Sequence, residues 1–201
     1  MPAIIAITNV AKLRLGHKGR RDAMIRQPAS AEAKPFESNI IADQSILKAV
    51  DFDLGRNGVA YFDTDTADYR SPGQRAGGNR GRVYRNDGAD IRKDSVRYET
   101  YYISDIDATE WLQYTVDVKQ KGTYTLKFNV AAAKADGAFT FTSNTKKFIP
   151  KKIAVPNTGG LKNWQTFEIK DVALTAGKQT FRIYADTGCF NLGSVQFLKQ
   201  K

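Results

Sequence analysis

Two consecutive runs of strict alternation constrain this chain more than any other stretch of it. In Trp111–Val118, Leu112, Tyr114, Val116 and Val118 share one side of a period-two ribbon, and Gln113, Thr115 and Asp117 share the other. After Lys119-Gln120-Lys121-Gly122 the pattern resumes, with Tyr124, Leu126, Phe128 and Val130 set against Thr123, Thr125, Lys127 and Asn129. Side chains of a strand point alternately to its two faces, so each run writes one face for a core and the other for water or a ligand. The short link between the runs predicts that the two strands form a hairpin.

Similar short apolar runs recur from Ile46 onward, punctuated by Gly and Asn and without a sustained helical period. They predict strands at Ile46–Phe52, Val59–Phe62, Arg82–Tyr84, Tyr101–Ser104, Trp111–Val118, Tyr124–Ala131, Ala138–Thr142, Phe148–Val155, Trp164–Ile169, Gln179–Ala185 and Ser194–Leu198. Many short strands with turn residues between them mean an all-β sandwich or barrel. At 201 residues, 41% of them hydrophobic, the chain can bury a core of that kind.

The reactive inventory is short. Cys189 is the one cysteine and His17 the one histidine, which excludes a disulfide framework, a cysteine-rich zinc site and a His-based triad. Carboxylates are what remain for catalysis. Asp90, Asp94, Asp105 and Asp107 show no spacing that sets two of them at a glycosidase separation. Asp63-Thr64-Asp65-Thr66-Ala67-Asp68 lacks the Gly and the closing Glu of an EF-hand loop, and reads as solvated turn carboxylates. The expectation is a protein that is not an enzyme and needs no cofactor or metal.

Charge is uneven. The net charge is +10, and residues 1–34 carry seven basic against two acidic residues, a net +5 in about a sixth of the chain. Residues 1–34 therefore read as a basic arm and 35–201 as the domain, with the boundary near Lys34–Ser45. An arm of this kind could dock on neighbouring subunits of a homo-oligomer or larger assembly, and nucleic acid ranks behind that. Ser71–Arg82, rich in Gly and Arg, reads as a long surface loop. No stretch has the length of a membrane span, and Met1–Val10 lacks the leading basic residues and cleavage site of a secretory signal. The expected location is extracellular or on a particle surface.

Three features point to ligand binding. Trp164 follows the Gly159-Gly160 turn and has the parity opposite to Phe167 and Ile169, which suit the core. An indole off the core register at a loop–strand junction can stack on a flat apolar face. In Tyr98-Glu99-Thr100-Tyr101-Tyr102 the adjacent tyrosines cannot all point inward. Asn191, in the expected turn Gly188–Gly193, can donate and accept hydrogen bonds at once. Two aromatics and an amide suit a sugar, which offers C–H faces and hydroxyls.

The order of many separate pieces then resembles a family. Leu47-Lys48-Ala49-Val50-Asp51-Phe52-Asp53, Gly58–Asp63, Tyr84-Arg85 with Ala89-Asp90-Ile91, Glu110–Val116, Gly122-Thr123-Tyr124, Val155–Gly160, Leu174–Arg182 and Phe190-Asn191-Leu192-Gly193 follow the order seen in family 6 carbohydrate-binding modules. The similarity runs from about Pro35 to Phe197. It implies a two-sheet jelly-roll β-sandwich that binds a glycan or polysaccharide without cleaving it. It also implies a sugar held between a Tyr and a Trp with an Asn below, which by position are Tyr101, Trp164 and Asn191. Leu161 replaces the Trp of the family's Gly-Gly-Trp, and Asp105 stands where many members carry an aromatic. The family's structural calcium takes carboxylates from a Glu-Ala-Glu-Asp start. Here Lys48 and Val50 replace both Glu, and Gly193 replaces the acid that often follows Asn-Leu, so that calcium is expected to be absent. The alternative function is a decoration or attachment subunit of a virion or cell-surface assembly that reuses the fold.

Overall fold

The computed structural model describes residues 31–64, 83–85, 87–95, 100–145, 148 and 150–201. The arm residues 1–30, the loop Ser71–Arg82, and Asp65, Asp68, Tyr98 and Glu99 lie outside them. Twelve strands make up the regular structure of the described part: β1 Asn39–Ile41, β2 Ser45–Lys48, β3 Tyr61–Phe62, β4 Ile91–Lys93, β5 Tyr101–Ile106, β6 Trp111–Val118, β7 Gly122–Ala132, β8 Ala138–Ser143, β9 Lys151–Ala154, β10 Gln165–Leu174, β11 Gly177–Thr187 and β12 Phe190–Lys199. A single 3-10 turn, Ala49–Asp51, follows β2. The strands form two six-stranded sheets. The first has the order β1-β6-β11-β8-β9 with β3 also on β6, and the second the order β10-β7-β12-β5-β4 with β2 also on β12. The chain is a jelly-roll sandwich, all-β as its alternation requires. No helix among the described residues is long and apolar enough to cross a membrane.

The expected hairpin does not form. Trp111–Val118 pairs with β11, β1 and β3 in the first sheet, whereas Gly122–Ala132 pairs with β10 and β12 in the second. Lys119–Lys121 carries the chain across the sandwich. Alternation fixes which face of a strand is buried and says nothing about its neighbour, so an arch between sheets satisfies the same pattern. The faces themselves are as read: Leu112, Tyr114, Val116 and Val118 meet Tyr124, Leu126, Phe128 and Val130 from opposite sides of one core. Phenylalanines join the layers. Phe128 of the second sheet lies 4.9 Å from Phe139 of the first, and Phe181 of the first stacks at 5.9 Å on Phe197 of the second. Two strands were missed, Asn39–Ile41 and Ile91–Lys93, each too short to show a period. Val83–Tyr84 belongs to no strand.

Lys34 is already tied to the sandwich by a reciprocal backbone pair with Leu54 (2.8 and 2.6 Å). Nearby, Arg85 is buried entirely, and this arginine organises the segment that leaves β2. Its guanidinium lies 3.7 Å over the ring of Phe52 and 4.4 Å over that of Phe36. It donates to the carbonyls of Val50 (3.2 Å), Asp53 (3.1 Å) and Phe52, and its Nε pairs with Asp87 at 2.6 Å. Burying a cation is costly unless every donor finds an acceptor. Three carbonyls and a carboxylate supply acceptors here.

Candidate functional site

Three regions of the outer surface gather aromatic and polar side chains. The first lies on the outer face of the first sheet. Trp111 is paired across the sheet with Phe62 of β3 on one side and Tyr184 of β11 on the other. Leu112, Ile183 and Tyr61 point inward, so these three rings point outward together, each half-buried. Neighbouring strands lie about 4.8 Å apart, so the row extends roughly 10 Å across the sheet. Arg182 packs against its middle member, its guanidinium carbon 3.9 Å from the centroid of the Trp111 ring. That guanidinium donates to Gln113 Oε1 (2.9 Å), and Gln113 Nε2 donates to Asp53 (3.2 Å). Partial burial lowers the pKa of Arg182, yet a guanidinium stays protonated throughout the ordinary range. Asp53 is held in turn by the Thr115 amide and hydroxyl, both at 2.7 Å. Burial raises its pKa and those donors oppose the rise. Sequence reading passed over this surface, although the parity of Trp111 against Leu112 already turns the indole outward.

The second region is at the opposite sheet and its rim. The loop after β9 is pinned by Thr158, whose hydroxyl accepts from the Ala132 amide at 2.8 Å. Gly159 adopts φ 86°, which favours glycine, and its amide donates to Asn157 Oδ1 at 2.7 Å. The loop then delivers Trp164 onto the outer face of the second sheet. Its ring meets Tyr102 edge-on at 5.0 Å. Its Cζ3 lies 3.2 Å from where a Cβ on Gly193 would stand. Tyr102 has its pKa raised, chiefly by burial.

Asn191 is in β12 rather than in a turn, is 5% exposed, and donates to the Leu161 carbonyl at 2.7 Å. It lines a rim cleft of about 450 Å³ together with Leu161, Arg92, Asp105 and Asp136. Arg92 grips Asp105 at 2.7 Å. Asp105 sits on an irregularity of the β5–β12 pairing with φ 51°. This is a conformation that Asp tolerates better than an aromatic. The rim cleft therefore holds an amide, an ion pair and an exposed leucine.

Tyr101 lines a different depression. Counting back from the inward Ile103 turns Tyr101 toward the core side, where it packs on Tyr84 at 4.8 Å, and turns Tyr102 outward to Trp164. Of the three expected residues, Trp164 thus has Tyr102 as its aromatic neighbour, Asn191 lies in the rim cleft, and Tyr101 stands apart from Asn191. Asp63, expected to be solvated, is 5% exposed, its backbone bonded both ways to the Asn57 amide group.

The residues at the position implied for a calcium do not fit one. Lys48 brings a positive charge, and Val50 is a buried hydrocarbon. The Asp51 carboxylate accepts from the Tyr84 hydroxyl, and the carbonyls of Val50, Phe52 and Asp53 are taken by Arg85. An acid at Gly193 would bring its Cβ to 2.8 Å from Asn129 Oδ1 as well as against Trp164. A hard cation needs several free oxygens, and here they are spent.

The family model described as carbohydrate binding module (family 6) matches residues 82–199. Among solved structures, the chain is similar to module CBM6cm-2 of Cellvibrio mixtus lichenase 5A, which was solved with cellotriose. That pair shares 29% identity over 57% of this chain and 88% of the other, with TM-score 0.51. The C-terminal family 6 module of the LamC laminarinase from Zobellia galactanivorans shares 25% identity over 55% and 88%, with TM-score 0.50. A module of Clostridium stercorarium solved with cellobiose shares the fold at 14% identity over 82% and 98%, with TM-score 0.56. No curated protein sequence matches the chain. None of these relatives supports the virion or attachment alternative, and residues 1–30, on which it leaned, lie outside the described residues.

Proposed function

The chain belongs to the family 6 carbohydrate-binding modules, and on that premise we propose that it is a non-catalytic glycan-binding module whose main saccharide surface is the Phe62–Trp111–Tyr184 row. The observation that carries this reading is the register: three aromatic residues are successive cross-strand partners on one solvent face, spanning about the length of a disaccharide. Sugar rings bind proteins by laying C–H faces on aromatic surfaces while a few fixed polar groups meet their hydroxyls. Here Gln113 and Arg182 are the fixed groups, held by the chain of bonds that ends at Asp53. Preorganised donors lower the ordering cost of binding.

Trp164 and Asn191 are weaker candidates on separate surfaces. The half-buried indole has Tyr102 beside it, whereas Leu161 and Asp105 leave Asn191 in a rim cleft without an exposed aromatic partner. The similarity to a module solved with cellotriose makes that trisaccharide the first ligand to try. Calorimetric titration with cellotriose should show Trp111→Ala weakened tenfold or more, equivalent to about 1.4 kcal/mol. Equal affinity in Trp111→Ala and the unaltered protein would refute the assignment.

A further inference from the structure

The arginines of the described part differ in what their guanidinium groups meet. Arg85, buried entirely, donates to three carbonyls and to Asp87. Arg92 grips Asp105. Arg182 is half-buried on the outer face of β11, in register with Gln113 of β6 on one side and Thr142 of β8 on the other. A guanidinium has five N–H donors. Among the described residues, that of Arg182 makes one hydrogen bond, from Nη2 to the neutral Gln113 amide, and no ion pair. Burial lowers its pKa, and no neighbouring carboxylate opposes that shift. The carboxylates of the two strands are held elsewhere: Asp117 of β6 pairs with Lys119, and Asp186 of β11 accepts from the Thr140 hydroxyl at 2.8 Å. Asp53 is held behind Gln113 by Thr115.

A half-buried cation without a counter-charge has lost part of its hydration and gained no anion in return. This one also packs against the middle member of the aromatic row, 3.9 Å from the centroid of the Trp111 ring. Ring and cation are thus within reach of one sugar residue. The relay from Asp53 through Gln113 fixes the guanidinium from one side and leaves its remaining donors for a ligand. We propose that Arg182 is the specificity-determining residue of the row and selects a glycan built of uronic acid residues. The C–H face of such a sugar meets the aromatic side chains while its carboxylate meets the guanidinium. Arginine suits this ion because its planar fork matches a carboxylate bidentately, and charge-assisted bonds are roughly twice as strong as neutral ones. The inference rests on the reading of the Phe62–Trp111–Tyr184 row as a saccharide surface, and it sets the order of preference there: acidic above neutral.

The test compares cellotriose with β-1,4-linked tri-D-glucuronate, the same trisaccharide backbone with a carboxylate at each C6, by calorimetric titration at physiological ionic strength. The unaltered protein should bind the triglucuronate about tenfold more tightly than cellotriose, or better. Arg182→Gln should bring the two affinities within about twofold of each other, the triglucuronate losing more. Lys178→Gln removes an equal charge from an exposed position of the same strand and should leave the preference as it is. That control separates Arg182 from the general attraction of a chain with net charge +10. Trp111→Ala should weaken both ligands. Equal affinities in the unaltered protein would overturn the inference without any variant. A preference that survives Arg182→Gln, or falls as far in Lys178→Gln, would overturn it too. Equal affinities together with Trp111-dependent cellotriose binding would defeat this inference alone and leave the saccharide row standing. Absence of binding by both trisaccharides, or binding that ignores Trp111→Ala, would defeat the row and the inference with it.

Discussion

Trp111 and Trp164 stand on the outer faces of opposite sheets, and their surroundings differ in kind. Trp111 belongs to a strand, has a ring in register on either side, and carries a guanidinium fixed by a relay of side-chain bonds. Trp164 leaves a glycine turn and leans edge-on against Tyr102, and the rim cleft that holds Asn191 has Leu161 and Asp105 where the family pattern has aromatics. The first surface is set by sheet register, which a substitution in a loop cannot move. The second depends on loop residues, and those have changed. A strand-borne surface can therefore keep its stacking capacity after a loop-borne one has lost it.

The largest expected effect tests the scaffold under the Trp111 surface. Arg85→Met would leave Asp87 buried without its partner and three carbonyls without donors. That should cost about 3–5 kcal/mol in urea unfolding. The unaltered protein should unfold at the same midpoint with calcium or with a chelator, since the guanidinium holds the segment that a metal would otherwise order. A calcium-dependent midpoint would break that part of the comparison.

The next test rebuilds the weaker surface. Leu161 is 46% exposed, so Leu161→Trp should fold normally and add an aromatic face beside Asn191. Calorimetry with cellotriose should then show a second, weaker site; unchanged stoichiometry would mean the rim lacks more than a ring. The smallest effect belongs to Asn191→Ala. It removes the bond to the Leu161 carbonyl, worth about 1 kcal/mol of stability, and should leave cellotriose affinity within twofold. A large loss of affinity would move the main site to the rim.

Much of the fold was legible because burial is a local pattern. The inward residues of Trp111–Val118 and Gly122–Ala132 are the ones that alternation marks. Which strands became neighbours was not legible, because pairing is decided by the whole sandwich, and so the expected hairpin became an arch. The same split runs through the site. Parity alone turns Trp111 and Tyr102 outward and Tyr101 inward, a signal available in the sequence, whereas position within the family pattern points to Tyr101. The row of Phe62, Trp111 and Tyr184 joins residues up to 122 positions apart in the chain, and only register brings them together. Arg85 had no local mark at all, since an arginine reads as a surface residue until its carbonyl partners are seen.

The chain's two tryptophans give two indole N–H signals, one from each surface. Assigning both, with Trp111→Phe and Trp164→Phe as references, and titrating cellotriose tests the central claim most directly. The Trp111 signal should move in proportion to saturation while the Trp164 signal holds its position. Movement of Trp164 with Trp111 unmoved would contradict it.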